Sequence, residues 1–581
     1  MSPSQEIGAT IPNDTAHAVS VTLPTWEATV GYEEGEEWVV SKMKSGYPRF
    51  FIHGIIQELS KNIETKYGRE GEKAMIFPSY KVAKRCRDFI KRYSQSGNNV
   101  RILQLSTPPP MNEDERSFII ESNIGVCFFH EEEWPIAKQY WQHSGEGISS
   151  RMGEYLLREL FQKEKTTRKL ATLKQELQVQ RIQRKSPSLS KSFSSTQEEV
   201  DNEYFAFIEQ KFGRVLDLKF ALEAKRALRR RICGKADKSR NQIEELEKSK
   251  RGKSLSETDV YLLPSGMNAI FTAHQALLQL FPNRESVCFG FPYVDTLNIL
   301  KKWGPGVLFL GFGDDKSLDE LEEKLQSNSI SIAGLFCECP SNPLLKTPNL
   351  KRIRSLADKY DFVVVVDETV GNFLNIHVLP YADMVVSSLT KVFSGDSNVM
   401  AGSLILNPKS SKYTQLKHYF TTEFEDIFWA EDALYLERNS RDFTERSIKI
   451  DQTTLETVEL FTKSPLISKV YYPTLSASKS YYDNIKTANG GYGGLFSILF
   501  HDPNDAICFF NTIQLHKGPS LGTNFTLACP YAILAHYQEL DEIAQWGVDR
   551  NLIRISVGLE DKDVLLETLQ LGLDKAAAQH T

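Results

Sequence analysis

Lys391 lies in the run Asp383-Met-Val-Val-Ser-Ser-Leu-Thr-Lys-Val-Phe-Ser-Gly395, one short apolar strand downstream of Phe362-Val-Val-Val-Val-Asp367. Continuous apolar runs this short, bounded by polar residues, fit parallel strands buried on both faces. Open α/β sheets collect ligands at the carboxyl ends of such strands. Here one strand ends in a carboxylate and the other is followed by an amine. Singly, each residue says little: an Asp after a strand commonly caps a turn, and most lysines are solvated. Together they offer the two groups that pyridoxal phosphate (PLP) requires. A lysine forms the Schiff base, and a carboxylate keeps the pyridine nitrogen protonated so that the ring can act as an electron sink.

Four further segments converge on the same chemistry. Pro264-Ser-Gly-Met267 is a tight turn opening a helix, where free backbone N–H groups and the helix dipole favour a phosphate. Cys337-Glu-Cys-Pro-Ser-Asn-Pro343 ends another strand and places Asn342 to reach a ring hydroxyl, while Tyr293 follows a strand in Phe289-Gly-Phe-Pro-Tyr-Val-Asp-Thr296 and could stack on a ring. Arg554 interrupts the apolar strand Leu552-Ile-Arg-Ile-Ser556. A buried arginine calls for an anion, and a carboxylate suits its two-pronged fork.

In order and approximate spacing these segments resemble the Cys/Met-metabolism PLP enzymes, the transsulfuration family, and most closely its fungal-type cystathionine γ-synthases with a long N-terminal extension. The resemblance spans about residues 200–565. The family's Ser-Gly-Met falls on Ser265 to Met267, its Tyr-Gly-Gly-Thr on Tyr293 to Thr296 and its Glu-x-Pro-x-Asn-Pro on Glu338 to Pro343. Its strand-terminal Asp falls on Asp367, Ser-x-Thr-Lys on Ser388 to Lys391, Ser-Leu-Gly on Ser520 to Gly522 and Arg-x-Ser-x-Gly-x-Glu-Asp on Arg554 to Asp561.

What the resemblance implies is a fold-type-I α/β protein. Its large domain carries a mostly parallel sheet, followed by a smaller C-terminal α/β domain. Gly266, Met267, Ser388 and Thr390 would hold the phosphate, Tyr293 would stack on the ring and assist proton transfer, and Asn342 would touch the ring hydroxyl. Asp367 would face the pyridine nitrogen, Lys391 would be the Schiff-base lysine, and Ser520 and Arg554 would hold the substrate carboxylate. The family's Tyr-x-Arg, which reaches a neighbouring subunit's phosphate site, is Phe212-Gly-Arg214 here, so Arg214 implies a homodimer or homotetramer and Phe212 lacks the tyrosine hydroxyl. Two segments also depart from the pattern: Glu368-Thr-Val follows Asp367 where Asn-Thr is usual, and Gly395-Asp-Ser-Asn398 stands for Gly-His-Ser-Asp. The implied reaction is γ-replacement on an O-acyl-L-homoserine by cysteine, giving cystathionine, with a γ-lyase or a sulfide-using synthase as the nearest rivals. A weakly active regulatory or scaffold paralogue is the rival of another class.

With 581 residues, the chain calls for roughly two to four domains. A folded extension is expected over 1–165, a charged helix and Ser-rich linker over 166–200, the PLP-binding domain over 201–425 and the small domain over 426–581. The linker expectation rests on Lys185-Ser-Pro-Ser-Leu-Ser-Lys-Ser-Phe-Ser-Ser-Thr196. From Met267 onward strands and helices alternate, which predicts a parallel sheet with helices on both sides. One long helical region is expected from about Ala430 to Lys463.

A net charge of −6 gives no reason to expect nucleic acid as a partner. The basic run Lys225-Arg-Ala-Leu-Arg-Arg-Arg231 reads as the solvated face of an amphipathic helix with Phe220, Leu222, Ala224, Leu228 and Ile232 on its apolar side. Eight scattered cysteines without a CxxC pair indicate neither disulfides nor a metal. No stretch approaches a membrane span and the N-terminus lacks a leader pattern, so a cytoplasmic enzyme of small amino-acid substrates is expected, with a nuclear location left open. Within the extension, Gly46-Tyr-Pro-Arg-Phe50 followed by Ala74-Met-Ile-Phe-Pro-Ser-Tyr80 parallels Phe212-Gly-Arg214 followed by Tyr261-Leu-Leu-Pro-Ser-Gly266. It reads either as a degenerate copy of the PLP domain's entrance or as chance. No lysine-bearing partner follows it, so a second active site is not expected.

Overall fold

The computed structural model describes residues 6–48, 50–95, 99–111, 119–161, 218–235, 249, 251–252 and 254–580. A two-stranded ladder, β1 (Thr10–Ile11) with β2 (Ser20–Val21), comes first. Strands β3 (Glu72–Phe77), β4 (Arg101–Ser106) and β5 (Asn123–His130) then form an antiparallel sheet in the order β3-β5-β4. Its two faces are both covered, and alternation along the strands decides which residue meets which helix. Ala74, Ile76, Val126 and Phe128 pack with the helices Gly54–Tyr67 and Ser150–Phe161, whereas Met75, Phe77, Cys127 and Phe129 pack with Tyr80–Tyr93 and Trp134–Ser144.

The large sheet has seven strands: β6 (Val260–Leu263), β7 (Glu285–Phe289), β8 (Val307–Leu310), β9 (Ile332–Glu338), β10 (Val363–Asp367), β11 (Met384–Ser388) and β12 (Gly402–Leu406), in the order β6-β12-β11-β10-β9-β7-β8. The run β11-β10-β9-β7-β8 is parallel throughout, and β12 alone runs opposite to the other six strands. Val364 and Val366 enter one core while Val363 and Val365 enter the other. Burial on both faces is why β10 reads as an unbroken apolar run rather than an alternating one. Five more strands, β13 (Ile467–Tyr471), β14 (Leu495–Phe500), β15 (His516–Lys517), β16 (Leu527–Pro530) and β17 (Ile553–Ser556), form the C-terminal sheet β13-β14-β17-β16-β15.

Two local expectations are corrected. The region Ala430 to Lys463 is two helices, Ala430–Asn439 and Phe443–Lys463. Arg446 of the second donates to the carbonyls of Asn439, Val392 and Phe393, and Arg231 donates to the carbonyl of Glu437 and the hydroxyl of Ser440, so the break is filled by guanidinium donors. The basic run forms the helix Ala221–Ile232, but its cations do not all lie on a solvated face. Lys225 and Arg230 are buried and paired with Asp426 and Glu257, while Phe220 and Leu222 are exposed together with Arg226. Carboxylates supplied by other segments draw these two cations inward, while Ala224, Leu228 and Ile232 are buried as the local pattern implied.

The small N-terminal sheet docks directly behind the turn that opens the helix Gly266–Leu280. Ser265 Oγ donates to the Gly145 carbonyl at 3.2 Å and Asn268 Nδ2 to the Ser144 carbonyl at 3.1 Å. Phe89 stacks on Trp303 at 4.9 Å, and Arg151 and Asp432 form a buried ion pair at 3.0 Å. Among the described residues no helix is long and apolar enough to cross a membrane.

Candidate active site

Parallel strands of the large sheet deliver their carboxyl ends to one cavity of about 1010 Å³, measured out to its open mouth. Gly266, Met267, Tyr293, Asn342, Asp367, Ser388, Thr390, Lys391, Ser520 and Arg554 all line it. The site residues expected from sequence and described in the structure thus converge on one space. Arg214, with Phe212, lies outside the described residues.

Lys391 is held in the turn after β11, with its amide directed to the Ser388 carbonyl and its own carbonyl accepting from Gly395. Its side chain is 8% exposed. The amine donates to Ser520 Oγ at 2.9 Å and to Tyr47 Oη at 3.0 Å, and lies 4.8 Å from the Tyr47 ring centre. Asp367, at the end of β10, accepts from the amide of Thr369 at 2.8 Å and from its hydroxyl at 2.5 Å. Desolvation pushes its carboxyl up, whereas the two Thr369 hydrogen bonds oppose that shift.

Glu338 stands beside it at the end of β9, where the parallel register places Asp367 opposite Glu338. Desolvation first and the Asp367 charge second push Glu338 up to about 8. Its carboxyl oxygens accept from the amides of Tyr293 at 2.6 Å and Asn342 at 3.0 Å, which fixes the loops carrying both residues. Asn342 in turn accepts from Arg554 Nη1 at 3.2 Å and donates to Tyr531 Oη at 3.3 Å. Arg554 sits on the central strand of the small sheet, 6% exposed, over the Tyr531 ring, with Nη2 on the Ser520 carbonyl.

Around the helix opening at Gly266 the contacts are tight. A Cβ on Gly266 would lie 2.6 Å from Ser388 Cβ, so this position needs glycine. Ser265 caps the helix through the Asn268 amide, and the first-turn residues Gly266 and Met267 line the cavity. The Thr390 hydroxyl bonds the backbone of Ala401 as both donor and acceptor.

The departures from the family pattern are explained by partners elsewhere. Glu368 is 1% exposed, and both its carboxylate oxygens accept from Arg251 Nη2, at 2.6 and 2.7 Å. Asp396 accepts from Asn524 Nδ2 at 2.6 Å, and the Ser397 carbonyl accepts from the Val19 amide at 2.8 Å.

These residues fit PLP. One cavity holds an amine and a carboxylate, a helix start with a glycine pressed against β11, and an aromatic ring. Residues 237–574 match the model of the Cys/Met metabolism PLP-dependent enzymes, and residues 55–149 match that of the N-terminal domain of fungal trans-sulfuration enzymes. The chain belongs to the Cys/Met-metabolism PLP-dependent family. It is 45% identical to the cystathionine gamma-synthase of Saccharomyces cerevisiae, over 99% of this chain and 100% of that one, and 43% identical to that of Neurospora crassa, over 99% of each. The fold of a cystathionine gamma synthase from Xanthomonas oryzae pv. oryzae superposes with a TM-score of 0.50 at 22% identity, covering 62% of this chain and 98% of that one. The protein is thus a PLP-dependent transsulfuration-type enzyme, a cystathionine γ-synthase-like transferase.

Sequence reasoning missed four residues of this cavity. Glu338 and Thr369 were only motif neighbours, and Tyr531 carries no local signal. Tyr47 had one: Tyr47-Pro-Arg49 has the Tyr-x-Arg pattern whose tyrosine is replaced in Phe212-Gly-Arg214.

Proposed function

We propose that this enzyme carries out γ-replacement, joining an O-acyl-L-homoserine, the O-acetyl ester in the first instance, to L-cysteine with release of the carboxylate to give L-cystathionine. The observation that carries the reading is the link Lys391–Ser520–Arg554. It sets a proton-carrying amine and a carboxylate anchor on opposite sides of one serine. The names of the full-length relatives support the synthase direction.

PLP, when bound, supplies the electron sink that lets negative charge develop at the substrate's Cα. In this reading Gly266, Met267, Ser388 and Thr390 hold its phosphate, with Arg214 assigned there from a neighbouring subunit on the resemblance alone. Tyr293 stacks on the ring, Asn342 meets the ring hydroxyl and Asp367 faces the pyridine nitrogen. Cationic charge beside Asp367 returns its carboxyl to the ionised form that desolvation alone disfavours.

Arg554 and Ser520 fix the substrate carboxylate, which orients the Cα–H bond toward Lys391. The Lys391 amine removes that proton and, on the same face, moves protons at Cβ. Overall the Cγ–O bond breaks and the acyl carboxylate leaves. The cysteine sulfur forms the Cγ–S bond, and its thiol proton is released.

The deciding measurement is the product spectrum with O-acetylhomoserine, with and without cysteine. At saturating cysteine, cystathionine exceeds 2-oxobutyrate, and omitting cysteine raises the keto acid. Rapid cleavage of cystathionine with poor use of homoserine esters would replace the synthase by a γ-lyase.

A further inference from the structure

The N-terminal segment reaches the reacting lysine of its own chain. Tyr47 lies 344 positions upstream of Lys391, yet its hydroxyl is 3.0 Å from Nζ, and Tyr47 and Phe50 both line the cavity. Nearer the terminus, the strip of residues 19–24 runs along the loop that carries Ser520. Leu23 donates its amide to the Lys517 carbonyl at 2.9 Å, Ser20 Oγ donates to the Pro519 carbonyl, and Lys517 Nζ donates to the Pro24 carbonyl at 3.0 Å. A Cβ on Gly518 would lie 2.0 Å from the Val21 carbonyl oxygen, so chain and loop are in backbone contact. Ser520 itself has φ of 96°, a conformation that a serine keeps only when its surroundings impose it. The same strip touches the loop after the lysine, through the Val19 amide on Ser397.

We propose that the N-terminal extension completes the active site in cis, with Tyr47 as a catalytic residue that holds the Lys391 amine and residues 19–24 as the brace that keeps Ser520 in place. The reason is geometric. Lys391 has two oxygen partners, Tyr47 Oη and Ser520 Oγ, and the extension supplies one and supports the other. Charged, the amine donates to both oxygens; neutral, it can accept the phenolic hydrogen and keep its lone pair oriented. The proton stays on nitrogen or oxygen, and no covalent step is needed.

The proposal rests on Lys391 as the cofactor lysine, but its central test needs no homoserine ester. In purified holoenzyme, Tyr47→Phe keeps the ring and removes only the hydroxyl. We expect unchanged thermal unfolding, a displaced pH titration of the visible cofactor band, and a fall in kcat of about 10- to 100-fold, the size of one lost charge-assisted hydrogen bond. An unchanged band titration with an unchanged kcat overturns the catalytic role, whatever the true substrate is.

The cis arrangement is tested by coexpressing a Tyr47→Ala chain with a Lys391→Ala chain under different tags and isolating the mixed complex. No chain then has both residues, so activity should stay at the level of the parents. Recovery to a sizeable share of wild-type activity shows that Tyr47 serves the neighbouring chain and overturns the cis assignment. If the active wild-type protein sediments as a monomer, each site has only its own Tyr47, which supports the cis assignment.

Discussion

Lys391 Nζ and Ser520 Oγ lie 2.9 Å apart across 129 residues, and the carbonyl oxygen of the same serine accepts from Arg554. The large sheet positions the lysine and the small sheet positions the arginine. Ser520 therefore couples the two domains at the reaction centre, so a change on either sheet that moves this loop alters both ends of the substrate site.

Removing the amine tests the cofactor assignment. Lys391→Ala should lose the protein-bound visible band and turnover together, and borohydride reduction of the wild type should label Lys391. Label on another lysine would reject the assignment.

Arg554→Lys should keep the cofactor band and raise the KM for the amino-acid ester. A point charge replaces a fork that already uses one prong on Asn342 and one on Ser520. The lost charge-assisted bonding is on the order of 1.5–3 kcal/mol. Steady-state kinetics decide, and a normal KM would remove Arg554 as the anchor.

The pair Arg251–Glu368 should behave as a buried ion pair next to Asp367. Arg251→Met leaves a carboxylate at 1% exposure without its partner, at a cost of about 3–5 kcal/mol in urea unfolding. Adding Glu368→Gln should return most of that stability, because the stranded charge is gone. A double variant no more stable than the single one would show that the pair's worth lies elsewhere.

Lys517 gives a stability signature in pH. Burial lowers its pKa from 10.5 to about 8, so between those values the unfolded chain binds more protons than the folded one. Stability contributed at this site therefore rises as pH climbs from about 8 toward 10.5, by up to about 3 kcal/mol. Lys517→Met should flatten that rise when unfolding is followed at pH 7.5 and pH 10. Parallel curves for the two proteins would show that the ammonium is not desolvated in the fold.

Much of this protein was legible along the chain because its signals are local. Uninterrupted valines mark β10 as a strand covered on both faces, the Ser-Gly-Met turn marks a capped helix start, and motif order marks the family. These features follow from backbone periodicity and turn chemistry, which depend on neighbours a few residues away. What only the tertiary structure decided concerns partners far apart in sequence. The charges of Lys225 and Arg230 looked solvated until Asp426 and Glu257 were brought against them, and Glu368 looked anomalous until Arg251 met it. Tyr47 carried a faint repeat of a motif, yet nothing in its own segment could say that its hydroxyl stands beside Lys391. Propensity acts over a turn or a strand, but which side chains converge on a cavity is set by how sheets and extension pack, and that information is spread over the whole chain.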